Sequence, residues 1–135
     1  MTIEEANQHI EEHLRAVKSV LPRTARYEVQ FHKKSMDCGR TETGSRSHGR
    51  VFASLEYQVL DLQPHRVPEY FSTIRKWWMT HGYRVLKDTP KNEYLWVENK
   101  EDGVRLSMQA NDSGEIYIGA DSPCVWPNGT PEPEG

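Results

Sequence analysis

The stretch "YRVLKDTPKNEYLWVENKEDGVRLSMQANDSGEIYIGAD", residues 83–121, decides the fold. It contains four short segments in which apolar and polar residues alternate: "YRVLKD", "EYLWVEN", "GVRLSMQA" and "EIYIGA". A period of two is the pattern of a strand with one face buried. The separators are "TPKN", "KED" and "NDSG", all short and rich in turn formers. A parallel crossover needs a dozen or more residues, so connections this short leave only antiparallel neighbours. Residues 83–121 therefore read as an antiparallel meander.

Working back toward the N-terminus, the period changes. "YFSTIRKWWMTHG" lies in a helix of roughly 68–81, with Pro68 suited to its first turn and Gly82 to its C-terminal stop. Tyr70, Phe71, Ile74, Trp77 and Trp78 fall on one stripe, which places both tryptophans in the core and Arg75 and Lys76 on the solvent side. His81 falls near the middle of that stripe, in the last turn, and reads as a core histidine or a partner of the helix dipole. Before this helix, Val51–Leu60 alternates through Val51, Ala53, Leu55, Tyr57 and Val59, and "RYEVQFHK" alternates through Tyr27, Val29 and Phe31. Both are strands, and the second reads as half-buried. Between them, residues 35–49 are polar, contain glycine and have no period, which makes them a long loop. At the N-terminus, Ile3, Ala6, Ile10, Leu14, Val17 and Leu21 recur at helical steps, with Thr2 as N-cap and Pro22 as the stop.

The order is α-β-β-α-β-β-β-β. Strands that are apolar on one face need a cover, and two amphipathic helices supply it. The expected fold is a two-layer α+β sandwich with a mostly antiparallel sheet, one domain over residues 1–126. A proline-rich tail, 127–135, is expected to be flexible. Strand order is not readable from these patterns.

Composition narrows the function classes. The 135 residues are 27% charged, with a net charge of −3 and no basic block longer than two residues. A general nucleic-acid binder needs a clustered positive footprint, and none is present. No run of 18 apolar residues offers a membrane span. The segment "MTIEEANQHIEEHLRAV" is acidic and amphipathic, unlike a signal peptide.

The two cysteines, Cys38 in "SMDCGR" and Cys124 in "DSPCVW", sit in loop-like surroundings without metal-ligand spacing. One bridge formed in an oxidising compartment explains them best, with two reduced thiols as the alternative. Such a bridge closes a loop of about 86 residues, worth roughly 4.5 kcal/mol in the chain-entropy model.

The search for catalysis finds little. "HIEEH" matches an inverted zinc-protease pattern through His9, Glu12 and His13, but a third ligand on a second helix is missing. An ordinary solvated helix face is the expectation for all three. Cys38 with His32 or His48 forms a Cys–His pair only if the thiol is free. A small enzyme would need a pocket on which His32, His48 and His81 converge. No metal or cofactor is expected.

The opening "MTIEEANQHIEEHLRAVKSVLP", the "DC" before a polar loop, "YFSTIRKWWMTHGYRV", "ANDSGEIYIGADSPCVWP" and the "PEPEG" tail resemble small actinobacterial lipoproteins. The resemblance spans nearly the whole chain and is strongest at Ser122–Pro127. It implies the outer face of the cell envelope, a lipid anchor in the native precursor and no known reaction; this sequence carries no lipobox. A cytoplasmic relative is the alternative.

The functional expectation is thus a non-enzymatic binding module of the cell envelope, its ligand surface in the loop residues Arg40, Glu42, Arg46, His48 and Arg50. An immunity-type protein that neutralises a secreted toxin is the second reading.

Overall fold

The computed structural model describes residues 1–38, 49–89, 91 and 93–129. Its elements run α1 (Ile3–Val20), β1 (Arg26–Asp37), β2 (Val51–Leu60), a single 3-10 turn (Pro64–Arg66), α2 (Val67–Thr80), β3 (Tyr83–Asp88), β4 (Tyr94–Asn99), β5 (Arg105–Ala110) and β6 (Ile116–Asp121). The expected α+β architecture and element order are borne out. All six strands form one antiparallel sheet in the order β1-β2-β6-β5-β4-β3. The meander from β3 to β6 thus starts at one edge and brings β6 to the centre beside β2.

Local signals explain the elements. Thr2 and Glu5 form a capping box: the Thr2 hydroxyl accepts from the Glu5 amide at 3.1 Å, and the Glu5 carboxylate accepts from the Thr2 amide at 3.0 Å. α1 buries Ala6, Ile10, Leu14 and Val17, and α2 buries Tyr70, Phe71, Ile74 and Trp78. Both stripes pack on the sheet face formed by Leu55, Val59, Leu95, Val97, Leu106, Met108, Ile116, Ile118 and Ala120. Gly82, at φ +87°, lets the chain turn straight from α2 into β3. In the β5–β6 turn, the Asn111 side-chain oxygen accepts from the amides of Ser113 and Glu115. Such an Asx turn is what "NDSG" encodes.

Three expectations change. The first is the strand Tyr27–Phe31, expected to be half-buried. β1 is an edge strand, with Val29 53% and Phe31 40% exposed. Val29 pairs with Tyr57 on the helix-covered side, but a bulge between Val29 and Phe31 brings Phe31 opposite Glu56. One extra residue moves Phe31 to the other face, where no helix covers it. Second, β1 continues through Ser35–Asp37, so this part of the expected loop is strand. Third, of the two places expected for His81, the structure shows the helix C-terminus and not the core. It is exposed at the end of α2, its ring stacked on half-buried Trp77 at 4.2 Å, with Nδ1 2.7 Å from the Trp77 carbonyl. The helix ends one residue earlier than its apolar period suggests.

Cys38 and Cys124 are joined as a disulfide, their Cα atoms 6.2 Å apart. Around them, the Val51 and Val125 backbones exchange two hydrogen bonds of 2.8 Å, and the Cys38 amide donates to the Arg50 carbonyl. The chain after β6 therefore runs alongside the start of β2. Trp126 is half-buried with the Arg50 guanidinium 6.0 Å from its ring, and the Pro127 carbonyl accepts from the Ile3 amide. Residues 130–135 of the expected tail lie outside the described residues.

Two stability measurements test this packing. Breaking the 86-residue separation of the bridge with reductant, or with Cys38→Ser plus Cys124→Ser, is expected to lower the urea-unfolding free energy by about 2–5 kcal/mol. An unchanged midpoint would show that the bridge holds nothing the sheet does not. Trp78→Ala removes a side chain with 0% exposure and is expected to cost about 3–5 kcal/mol by the same assay.

Candidate functional site

Two constellations stand out beyond the core. The first lies where α1 meets the β4–β5 turn. Buried Asn99 shapes that turn: its side-chain oxygen accepts from the amides of Glu101 and Asp102 at 2.9 and 3.1 Å. One Asp102 oxygen then accepts from the Val104 amide at 3.0 Å. The other lies 2.8 Å from His9 Nδ1 and 2.7 Å from His13 Nε2. His13 Nδ1 meets the Tyr83 hydroxyl.

The expectation of a solvated face for His9 and His13 is therefore wrong, although Glu12 is exposed as expected. Histidines at i and i+4 do point the same way, but the turn places an aspartate between them. The arrangement is not a metal site: among the described residues, no group of three or more His, Cys, Asp or Glu is placed to hold an ion. Burial pushes the Asp102 carboxyl up, but hydrogen bonds from His9, His13 and the Val104 amide outweigh it and hold the carboxyl below its ordinary value. Burial, with the Asp102 charge adding to it, pushes the Tyr83 phenol up to about 12. Tyr83 is thus a proton donor at neutral pH, and in the neutral Nε2–H tautomer His13 accepts from Tyr83 and donates to Asp102. Tyr83 is 5% exposed. This network ties α1 to the sheet.

The second constellation is the face of the sheet that the helices leave open. Strand register sets three rows across it. Ser54, Asp121, Arg105 and Glu98 form one; Glu56, Gly119, Ser107 and Trp96 the next; Gln58, Tyr117, Gln109 and Tyr94 the third. In the first row Glu98 accepts from Arg105 at 2.9 Å and from Arg84, while the Arg105 guanidinium lies 5.2 Å from the Trp96 ring centre. Cation, carboxylate and aromatic ring satisfy one another there. Around Gly119 they do not. Among the described residues, the Glu56 and Asp121 carboxylates have no hydrogen-bonding or ion-pair partner. Burial and the Asp121 charge push the Glu56 carboxyl up; burial and the same charge push up the Tyr94 phenol. Tyr117 is raised too, by desolvation and by the charges of Glu115 and Glu56. The Asp121 charge thus acts on Glu56 and Tyr94, and the Glu56 charge on Tyr117, across three strands.

Of the residues expected to form a ligand surface, Arg40, Glu42, Arg46 and His48 lie outside the described residues. Arg50 lies beside Trp126 near the bridge. The Cys–His nucleophile does not exist, because Cys38 is in the disulfide. His32 and His81 do not converge: His32 is on edge strand β1, and His81 precedes β3 at the opposite edge. Neither lines the 530 Å³ cleft between the start of α2 and the β5–β6 turn, nor the grooves beside Val20 and Thr73 between the helices. Glu56, Tyr94, Tyr117 and Asp121 are absent from the sequence-derived candidates. "EYLWVEN" did carry a signal, since large residues occupy both faces of that strand.

No protein-family model matches the chain, and no curated protein matches it. The geometry of the site carries the functional reading.

The Asp102 network has a definite acid signature. A carboxyl whose folded pKa lies below its unfolded one stabilises the fold above the unfolded value, and that stabilisation is lost as pH falls through the folded value. Urea midpoints followed downward from neutral pH should fall across the carboxylate range, and Asp102→Asn should flatten that part of the profile. Parallel profiles would remove the network from the stability of the fold.

Proposed function

We propose that this protein is a non-enzymatic binding module that works in an oxidising, extracytoplasmic setting and recognises its partner with the open face of its sheet. The observation that carries the reading is the set on the open face: among the described residues, the Glu56 and Asp121 carboxylates have no partner, half-buried Tyr94 and Tyr117 share the face, and no helix covers it. Half-buried aromatics with adjacent hydrogen-bonding groups are what recognition surfaces are made of. A site that binds without transforming needs no converging nucleophile and base, and the described histidines are either held in the Asp102 network or dispersed over the surface. The disulfide supports the compartment, since such bridges persist where thiols are not kept reduced. No helix among the described residues is long and apolar enough to cross a membrane. The resemblance to small lipoproteins points to the same setting, with a lipid anchor supplied by the native precursor.

Photo-crosslinking in the native cell tests the surface. A crosslinker in place of Gln109 on the open face should give discrete adducts, while one in place of exposed Glu11 on α1 should not. Equal labelling from both positions would sink the assignment of the open face. Recovery of native protein with both thiols reduced would sink the compartment.

A further inference from the structure

We infer that the cleft at the start of α2 is a site for a small zwitterion of the amino-acid class, with an ammonium, a carboxylate and an apolar body. The inference stands on the cleft alone and does not rest on the reading of the open face.

Three segments distant in sequence build the walls. They are the 3-10 turn with the first residues of α2, the turn between β3 and β4, and the turn between β5 and β6. The volume of 530 Å³ is in the range of sites that hold small molecules. The walls are held in place by contacts of their own. Gly114, at φ +77°, packs so closely on the 3-10 turn that a Cβ built there would meet Pro64 Cβ at 3.2 Å. The Ala110 amide donates to the Glu93 carbonyl at 3.1 Å, which ties the β3–β4 turn to the end of β5. The Asn111 side chain is taken up by its own turn, its oxygen accepting from two amides and its nitrogen donating to Glu115.

The lining sets the ligand chemistry. Pro64, Val67, Pro68 and Ala110 supply an apolar surface, and Lys91, Glu93 and Asp112 supply charges of both signs. Where the fold brings opposite charges together elsewhere, they bond one another, as Arg75 does with Asp88 and Arg105 with Glu98. Here they line one cleft without meeting: among the described residues, none of the three side chains has a hydrogen bond or an ion pair. A neutral apolar ligand would strip water from these charges and return nothing to them. A simple cation or anion would answer one sign only. A zwitterion answers both. Its ammonium has three donors for the Glu93 and Asp112 carboxylates, and its carboxylate accepts from Lys91. Its apolar body then covers the proline and valine side chains.

The test uses the full oxidised chain labelled with nitrogen-15. It is titrated with L-phenylalanine, L-leucine, N-acetyl-phenylalanine, which lacks the ammonium, and phenylalaninamide, which lacks the carboxylate. The free amino acids are expected to shift the Val67, Ala110 and Gly114 amides saturably, in about the millimolar range. Each phenylalanine analogue has lost one charged group and should bind about two- to fivefold more weakly than phenylalanine. Substitutions then assign the partners. Lys91→Gln should weaken phenylalanine to the level of phenylalaninamide and leave the amide no weaker. Glu93→Gln together with Asp112→Asn should bring phenylalanine to the level of N-acetyl-phenylalanine. All three side chains are exposed, so the thermal midpoint should not move.

Absence of shifts at these amides from both free amino acids would overturn the site. Equal binding of phenylalanine and its two analogues would show a cleft that ignores charge, and would overturn the zwitterion. So would binding indifferent to all three substitutions. None of these outcomes bears on the open face, whose test reads crosslinks from Gln109.

Discussion

Everything in this structure hangs on the pairing of β2 with β6. The two strands are far apart in sequence, and their ladder runs from Ser54–Asp121 to Val59–Ile116. Among the described residues it is the one strand ladder that joins β1 and β2 to the β3–β6 meander. Leu55 and Val59 on one side, with Ile116, Ile118 and Ala120 on the other, are at most 5% exposed, and they form the floor on which α1 packs. Burial of each large aliphatic side chain in that floor contributes about 1.5–3 kcal/mol, so the junction stands on the hydrophobic effect as much as on backbone hydrogen bonds. Ser122 extends it beyond the strand, exchanging hydrogen bonds with Ala53 through both its amide and its hydroxyl.

Two helices are enough to cover one face of a six-stranded sheet, and this has a consequence for function. The other face must be stable against water, and it reaches that state in two ways. Near β3–β5 it is closed by its own charges, with Arg84 and Arg105 on Glu98 and Arg105 over Trp96. Near Gly119 it is not closed in this way: the Glu56 carboxyl has no cation partner among the described residues, and desolvation and the Asp121 charge push it up. Local electrostatic dissatisfaction of this kind, in a fold otherwise satisfied, is where a binding surface is expected. The Asp102 network is the opposite case. Its perturbed groups are saturated with internal partners and shielded from solvent, and they hold α1 to the turn.

Much of the architecture was legible in the sequence because it depends on local rules. The period of α1, its Thr2 cap, the glycine after α2 and the Asx turn at Asn111 each act within a few residues. The cysteine pairing was legible for another reason: with two cysteines in polar surroundings, only one bridge exists to be formed. The misreadings share a cause as well. Phe31 follows the alternation of β1, but a bulge shifts the register by one residue, and no pattern within β1 announces it. His81 follows the apolar period of α2, but the helix ends before it, and the ring finds Trp77 on the surface. His9 and His13 are spaced to share a partner, and the partner is an aspartate 89 residues beyond His13.

The sequence by itself determined the class of fold, the antiparallel character of the sheet and the identity of the covering helices. Hydrophobic periodicity and turn chemistry are short-range, and a chain of this composition has few other ways to bury its apolar residues. Only the tertiary structure decided the strand order, and with it the site. Glu56, Tyr94, Tyr117 and Asp121 lie on three different strands, and each occupies an ordinary polar-face or strand-end position in its own segment. They become neighbours because β6 inserts beside β2, a choice made by packing between distant parts of the chain. A site assembled across strands has no spacing to read in advance.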